Sequence, residues 1–131
     1  MNFYSQCGQD RFVYRNFFKN HRDGTFVDVG AHDGITYNNT LFLEKENGWS
    51  GINIEPNDNV YQKLISNRPN SINLNVAVSE EEEYLEFIKV SGAPEMISGL
   101  VKHYDHRHEK RLNKELRRDG GKRETVLVKS R

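Results

Sequence analysis

Two aspartates and two glycines fall within residues 28–34 of the segment TFVDVGAHDGITYNNTLFLE. Asp28 and Asp33 supply negative charge, whereas Gly30 and Gly34 let the backbone turn and approach a ligand closely. The residues stand between an apolar run and a helix-like run, where the loops of an open α/β sheet bind their ligands. The sequence therefore predicts a ligand-binding loop over residues 28–34, with a purely structural tight turn as the alternative.

The charge of this loop indicates which ligand suits it. The dinucleotide pattern G-x-G-x-x-G is absent, because the next glycine after Gly30 is Gly34. A pyrophosphate beside two carboxylates would be repelled by on the order of a few kcal/mol. S-adenosylmethionine (SAM) carries a sulfonium and an ammonium group, both of which suit Asp28. We expect its carboxylate at the N–H groups of the following helix start, or at Asn39 and Thr40.

A further acid, Glu55, follows the next apolar run in the sequence INIEP. It comes about 20 residues after Gly34, the interval expected for an acid that binds ribose hydroxyls. A carboxylate can accept two such hydroxyl hydrogen bonds at once. Glu55 alone would be interpreted as a surface acid, and its spacing from residues 28–34 is what favours the ribose role. The adenine is then expected near Val76 and Ala77, where small side chains leave room for a flat ring.

The surrounding elements alternate between strands and helices. Strands are predicted in TFVDVG, WSGINIEP and SINLNVAVS, with helices between them that start near Thr40 and Asp58. This order predicts a βαβαβ unit with parallel pairing. A preceding helix over residues 9–19 is predicted to pack on the sheet through an apolar stripe of Phe12, Val13, Phe17 and Phe18. Beyond residue 79, YLEFIKV and ETVLVKS predict an added antiparallel strand pair around a charged helix over residues 101–118.

Several of these motifs together resemble the amino-terminal part of the FkbM-like family of SAM-dependent methyltransferases. They lie within residues 4–79 and read YSQCGQDRFVYRNFF, FVDVGAHDG, YNNTLFLE, INIEP and NVAVS. The resemblance implies an α/β fold with a Rossmann-like (class I methyltransferase) sheet and SAM as cofactor. It implies methylation of a hydroxyl, on a glycan or a small metabolite. No catalytic base is identified.

The resemblance also implies roles for individual residues. It assigns the ribose to Glu55, and His32 stands where such loops often have Gly or Asn. Gln9 and Asp10 match the amino-terminal motif and are candidates to line the same pocket. The implied SAM loop consists of Asp28, Gly30, Ala31, His32 and Gly34.

Family members continue with a strand and an acidic D-x-E-G-x-E-like motif that does not follow ETVLVKSR. We therefore expect a single incomplete FkbM-like domain over residues 1–131, with the C-terminal half of the fold missing. Its SAM-binding core would span residues 1–79, and a strand, a charged helix and a strand would span residues 80–131. The uncovered strand edge would favour self-association. The alternatives are a non-catalytic SAM-binding remnant or interaction module that needs a partner and, disfavoured by the aspartates, a dinucleotide-binding domain.

Composition restricts other classes of function. Cys7 is the only cysteine, so neither an intrachain disulfide nor a cysteine-based metal site can form. The spacing of His103, His106 and His108 does not place all three on one helix face, and we expect no metal site there.

The net charge of zero divides unevenly along the chain. Residues 1–100 contain 8 Lys and Arg against 14 Asp and Glu, and residues 101–131 contain 11 against 5. Because acids interleave with the basic residues of the tail, we expect a solvated helix face and no nucleic-acid partner. No apolar run has the roughly 20 residues of a membrane helix, and the amino terminus lacks a signal-like core. A cytoplasmic location without a membrane partner is the expectation.

Overall fold

The computed structural model describes residues 1–91, 99–100, 106–119 and 122–131. The chain divides into two compact units, Met1–Asn75 and Val76–Arg131. The first unit contains, in chain order, α1 (Gln9–Phe17), β1 (Thr25–Val29), α2 (Leu41–Asn47), β2 (Ser50–Ile54), α3 (Asp58–Asn67) and β3 (Ile72–Leu74). The second contains β4 (Tyr84–Ser91), β5 (Gly99–Leu100), α4 (His106–Asp119) and β6 (Lys122–Lys129). None of the described helices is both long and apolar enough to cross a membrane.

The first unit is built on a parallel sheet of strand order β1-β2-β3, which confirms the predicted βαβαβ arrangement. The chain leaves β2 at Pro56, and Asn57 caps α3 by accepting the N–H of Asn59. Helix α2 ends at Asn47, because Gly48 adopts the left-handed conformation that stops a helix.

The two faces of this sheet differ in chemistry. On one face, Asp28 of β1 pairs in register with Asn53 of β2, which pairs with Asn73 of β3. Successive side chains alternate across a strand, so the opposite face begins with Thr25 and Ser50 and is otherwise aliphatic. Its aliphatic residues are Val27, Val29, Ile52, Ile54, Ile72 and Leu74. Val27 and Val29 are more than 60% exposed, at 64% and 62%.

Helix α1 does not pack through the predicted phenylalanine stripe. Phe12 and Phe17 are 61% and 69% exposed, whereas Asp10 and Tyr14, one turn apart, are buried. Tyr14 joins an aromatic and aliphatic core completed by Phe26, Phe42, Leu43 and Trp49. The predicted packing face was wrong because the carboxylate of Asp10 is hydrogen-bonded to the preceding segment, at Tyr4 and Ser5. These bonds turn the side of α1 that carries Asp10 towards the interior.

The third strand is shorter than SINLNVAVS predicted. It ends at Leu74, and Ala77 instead forms a parallel bridge with Ser130 within the second unit. In that unit β4 pairs with β6 and β5 in an antiparallel sheet, which confirms the added strand pair. The predicted helix over residues 101–118 is observed from residue 106, and residues 101–105 lie outside the described part of the chain.

Candidate functional site

The loop between β1 and α2 turns through several residues with positive φ. Gly30 and Gly34 both have φ of 77°, and His32 and Tyr37 have φ of 55° and 52°. A Cβ on Gly30 would meet nothing within 4 Å, whereas a Cβ on Gly34 would lie 2.6 Å from Arg68 Cγ. Gly30 is therefore required by its backbone conformation alone, and Gly34 also by the close approach of Arg68.

Asp28 lies at the end of β1 and is held by two side chains from beyond the loop. Its Oδ2 accepts a hydrogen bond from Asn38 Nδ2 at 3.0 Å and another from Thr40 Oγ1 at 2.8 Å. Thr40 was a predicted site residue, and the structure brings it to Asp28. Asn39, predicted with it, is exposed, and the buried neighbour Asn38 takes the position beside the carboxylate.

The start of α2 does not offer the free N–H groups that the sequence led us to expect. Asn38 Oδ1 already accepts the N–H groups of Thr40 and Leu41, at 2.9 and 2.8 Å. The helix itself has only seven residues. The N-cap of α2 is Thr40, where the helix start was predicted, and the acceptor of these two N–H groups is Asn38, two residues before it.

Glu55 lies immediately after β2, with its carboxylate against the β1 loop. Oε2 accepts the N–H of His32 at 2.9 Å, and Oε1 accepts the N–H of Asn57 at 2.9 Å. The side chain is only 7% exposed. Gly30 and Ala31 donate their N–H groups to the last carbonyl of β2, at 2.8 and 3.0 Å, and so keep the loop close to Glu55. The structure thus brings Glu55 and the predicted loop together.

Asp33 is engaged within the loop itself. Its carboxylate accepts the N–H groups of Ile35 and Thr36, at 2.9 and 2.7 Å, and the Thr36 hydroxyl at 2.7 Å. Burial raises the pKa of Asp33, but these hydrogen bonds and the nearby His32 imidazole together hold that pKa below its usual value of 3.8. Asp33 therefore stabilises the turn.

A buried cation lies beneath the loop, and it was not among the predicted site residues. Arg68 is 1% exposed, and its Cζ atom lies 5.4 Å from the centre of the Phe26 ring. It lies in the sequence NRPN, directly after α3. Its guanidinium donates hydrogen bonds to Gly34 O, Asn38 Oδ1, Thr40 Oγ1 and the Glu44 carboxylate.

Gln9 and Asp10 make contacts local to the amino-terminal segment. Gln9 Oε1 accepts the N–H of Cys7, and Asp10 accepts the N–H groups of Tyr4, Ser5 and Arg11 and the Ser5 hydroxyl. Burial raises the pKa of Asp10, but these bonds hold it below its usual value. Both residues thus serve to fix residues 4–11.

Ala77 belongs to the second unit. Its side chain is 3% exposed and packs in a small core with Phe87 and Val128. The adenine contact predicted for it stays a prediction.

Within the described ranges, no group of three His, Cys, Asp or Glu side chains could hold a metal ion. His103 and the side chains of His106 and His108 lie outside what the structure describes.

One comparison with known proteins gives a match. The family model described as the Methyltransferase FkbM domain matches residues 28–128, from the aspartate at the end of β1 to the last strand. No curated protein and no solved structure matches the chain. The match covers the loop and Glu55 and most of the second unit, and it extends well past the motifs recognised in residues 4–79. The chain therefore belongs to the FkbM methyltransferase domain family.

Proposed function

We propose that the first unit binds SAM and that the chain is a SAM-dependent methyltransferase. One observation carries this proposal: Asp28 and Glu55 end adjacent parallel strands, and the glycine-bearing loop runs between them. Ligands of open α/β sheets bind beyond the carboxyl ends of the strands. Two acids at that edge favour a ligand that combines a cation with a hydroxyl-rich sugar.

Asp28 would face the charged part of the donor. Both hydrogen bonds from Asn38 and Thr40 fall on Oδ2, so Oδ1 is the oxygen that a sulfonium or ammonium group would approach. An opposite charge at about 4 Å gains roughly 1 to 4 kcal/mol, depending on how much water is excluded.

Glu55 would bind the ribose hydroxyls. A carboxylate can accept two hydroxyl hydrogen bonds at once, and the Glu55 carboxylate lies directly against the glycine-bearing loop through the N–H of His32. The N–H groups of His32 and Asn57 fix the orientation of the carboxylate before a ligand arrives, which reduces the entropy cost of binding.

The acceptor that we propose is a hydroxyl on a glycan or a small metabolite. SAM is already an activated donor, so the main task of the protein is to align the acceptor oxygen with the methyl group. A general base would assist by taking the hydroxyl proton.

Calorimetric titration of the chain with SAM and, separately, with NAD tests the binding proposal. We expect SAM to bind at least tenfold more tightly, because the NAD pyrophosphate would meet the carboxylates of Asp28 and Glu55. Tighter binding of NAD, or no heat with SAM, would overturn it. Transfer of a labelled methyl group from SAM to a panel of sugars then tests the enzymatic proposal.

A second candidate, an interaction module that pairs with another copy of the chain, is favoured by the exposed aliphatic face of the parallel sheet. Val27 and Val29 project from β1, an edge strand of the sheet as described. Edge strands and bare apolar faces favour association. Sedimentation equilibrium checks this: a dimer that dissociates in Val27→Lys supports the module, and a monomeric wild-type chain rejects it.

A further inference from the structure

Arg68 donates hydrogen bonds to three residues of the segment between β1 and α2, on the Asp28 side of the proposed donor site. Nη1 donates to Gly34 O and to Asn38 Oδ1, both at 3.1 Å, and Nη2 donates to Thr40 Oγ1 at 3.3 Å. The opposite edge of the guanidinium meets the Glu44 carboxylate, which also accepts the Ser71 hydroxyl at 2.7 Å. Glu44 therefore neutralises the guanidinium charge at one edge, and the Nη1 and Nη2 groups donate to the loop from the other.

The donor-only character of the guanidinium decides how its neighbours are oriented. Arginine has five N–H donors and no acceptor. By donating to Asn38 Oδ1, Arg68 adds to the N–H groups of Thr40 and Leu41 in keeping the Nδ2 group towards Asp28. The single hydrogen of the Thr40 hydroxyl has two acceptors in reach, Asp28 Oδ2 at 2.8 Å and Asn38 Oδ1 at 3.1 Å. Because Arg68 donates both to Thr40 Oγ1 and to Asn38 Oδ1, it competes for the second acceptor and favours the bond to Asp28.

Asp28 consequently accepts two hydrogen bonds, and Arg68 orients the two residues that donate them, Asn38 and Thr40. A lysine at this position would keep the charge, but its compact ammonium cannot reproduce the planar fork that contacts several acceptors at once. Without the fork, the Asn38 amide is held by fewer hydrogen bonds and the Thr40 hydroxyl can turn from Asp28 to Asn38 Oδ1.

We propose that Arg68 is a positioning residue that orients Asp28 through Asn38 and Thr40 and thereby contributes to selection of the cationic methyl donor. The part of this inference that concerns the donor rests on the proposed SAM site. The part that concerns the loop does not depend on any ligand. Two measurements address the two parts separately.

Amide hydrogen exchange on the ligand-free protein tests the loop. In Arg68→Lys we expect at least tenfold faster exchange at the N–H groups of Thr40 and Leu41, which donate to Asn38 Oδ1, with unchanged exchange in β1 and β2. Ser71→Ala is the matched control, because it removes one bond to Glu44 and leaves the contacts of Arg68 with the loop. Unchanged exchange in Arg68→Lys, or equal acceleration throughout the unit, overturns the inference.

Calorimetry with SAM and with S-adenosylhomocysteine, which lacks the sulfonium charge, tests donor selection. In Arg68→Lys we expect SAM affinity to fall at least tenfold and S-adenosylhomocysteine affinity to fall less than threefold. Asp28→Asn should shift the ratio similarly, and the double variant should shift it no further, because both changes act on one carboxylate. Equal losses for both ligands, or additive effects, contradict the role of Arg68. A wild-type chain that binds neither ligand refutes the SAM site and donor selection together, whereas the exchange measurement still decides the effect on the loop.

Discussion

Asp28 and Glu55 end adjacent strands of one sheet, yet they are held by different kinds of group. Side chains hold Asp28, through Asn38 and Thr40 and behind them Arg68. Backbone N–H groups of His32 and Asn57 hold Glu55. A side-chain support can be removed by one substitution, whereas a backbone support persists whatever residue occupies the position. The hydrogen bonds from Asn38 and Thr40 to Asp28 are therefore the more sensitive to mutation, and those from His32 and Asn57 to Glu55 depend on the shape of the loop.

The largest expected effect comes from closing the space between the loop and Arg68. Gly34→Ala should destabilise the protein by about 3 kcal/mol, because a left-handed backbone conformation and a Cβ in contact with Arg68 both add cost. Gly30→Ala, with the same φ and open space, should cost about 1 kcal/mol. Urea denaturation measures both. Equal costs would show that Arg68 does not constrain the loop.

A smaller effect is expected from weakening the support of Asp28. Thr40→Val keeps the shape of the side chain but removes the hydroxyl between Asp28 and Arg68, and should cost about 2 kcal/mol of unfolding free energy. Asn39→Ala, at the neighbouring exposed position, should change stability by less than about 0.5 kcal/mol. Thermal denaturation of both variants checks this difference, and a neutral Thr40→Val would argue against side-chain support of Asp28.

Asp33 supplies a test by pH. Its pKa is lowered in the folded protein, so its ionised form adds stability above pH 3.8, and this contribution is lost as pH falls through the folded pKa. Asp33→Asn should therefore be less stable than wild type at pH 7, by about 0.5 kcal/mol, and the two proteins should converge as the pH falls below the folded pKa of Asp33. Urea midpoints at several pH values measure the gap. A gap that widens towards acid would contradict the assignment.

A small effect is expected at His32, whose backbone N–H donates to Glu55 Oε2. His32→Gly keeps that N–H group and relieves a positive φ, while glycine adds freedom to the unfolded chain. Stability should stay within about 1 kcal/mol of wild type, and SAM affinity within threefold. A tenfold loss of affinity would assign the imidazole a direct role in binding.

The parts of the site that sequence predicts well are those that depend on strand ends. Glu55 was expected beside the β1 loop because parallel strands bring their carboxyl ends to one edge of a sheet, and its contact with His32 has that origin. Asn38 was missed in favour of Asn39, because the choice depends on the positive φ of Tyr37, which no local pattern announces.

Contacts between distant segments were beyond prediction from local patterns. Arg68 reaches Asn38 and Thr40 across about thirty residues of chain, and nothing in NRPN indicates that its side chain turns inward. Similarly, Ala77 leaves the predicted third strand because it pairs with Ser130, near the other end of the chain. Hydrophobic periodicity describes which residues favour burial, but not which distant partner satisfies their backbone.

We propose that Glu55 anchors the sugar of a cationic donor held at the β1 loop. Titration calorimetry of Glu55→Ala with SAM tests it most directly, with Glu46→Ala, an exposed acid on α2, as the matched control. Loss of two hydrogen bonds to a carboxylate predicts about 100-fold weaker binding for Glu55→Ala, with circular dichroism and a cooperative unfolding transition showing a folded chain. Glu46→Ala should bind as wild type does. A folded Glu55→Ala protein that binds SAM with undiminished affinity would contradict the account.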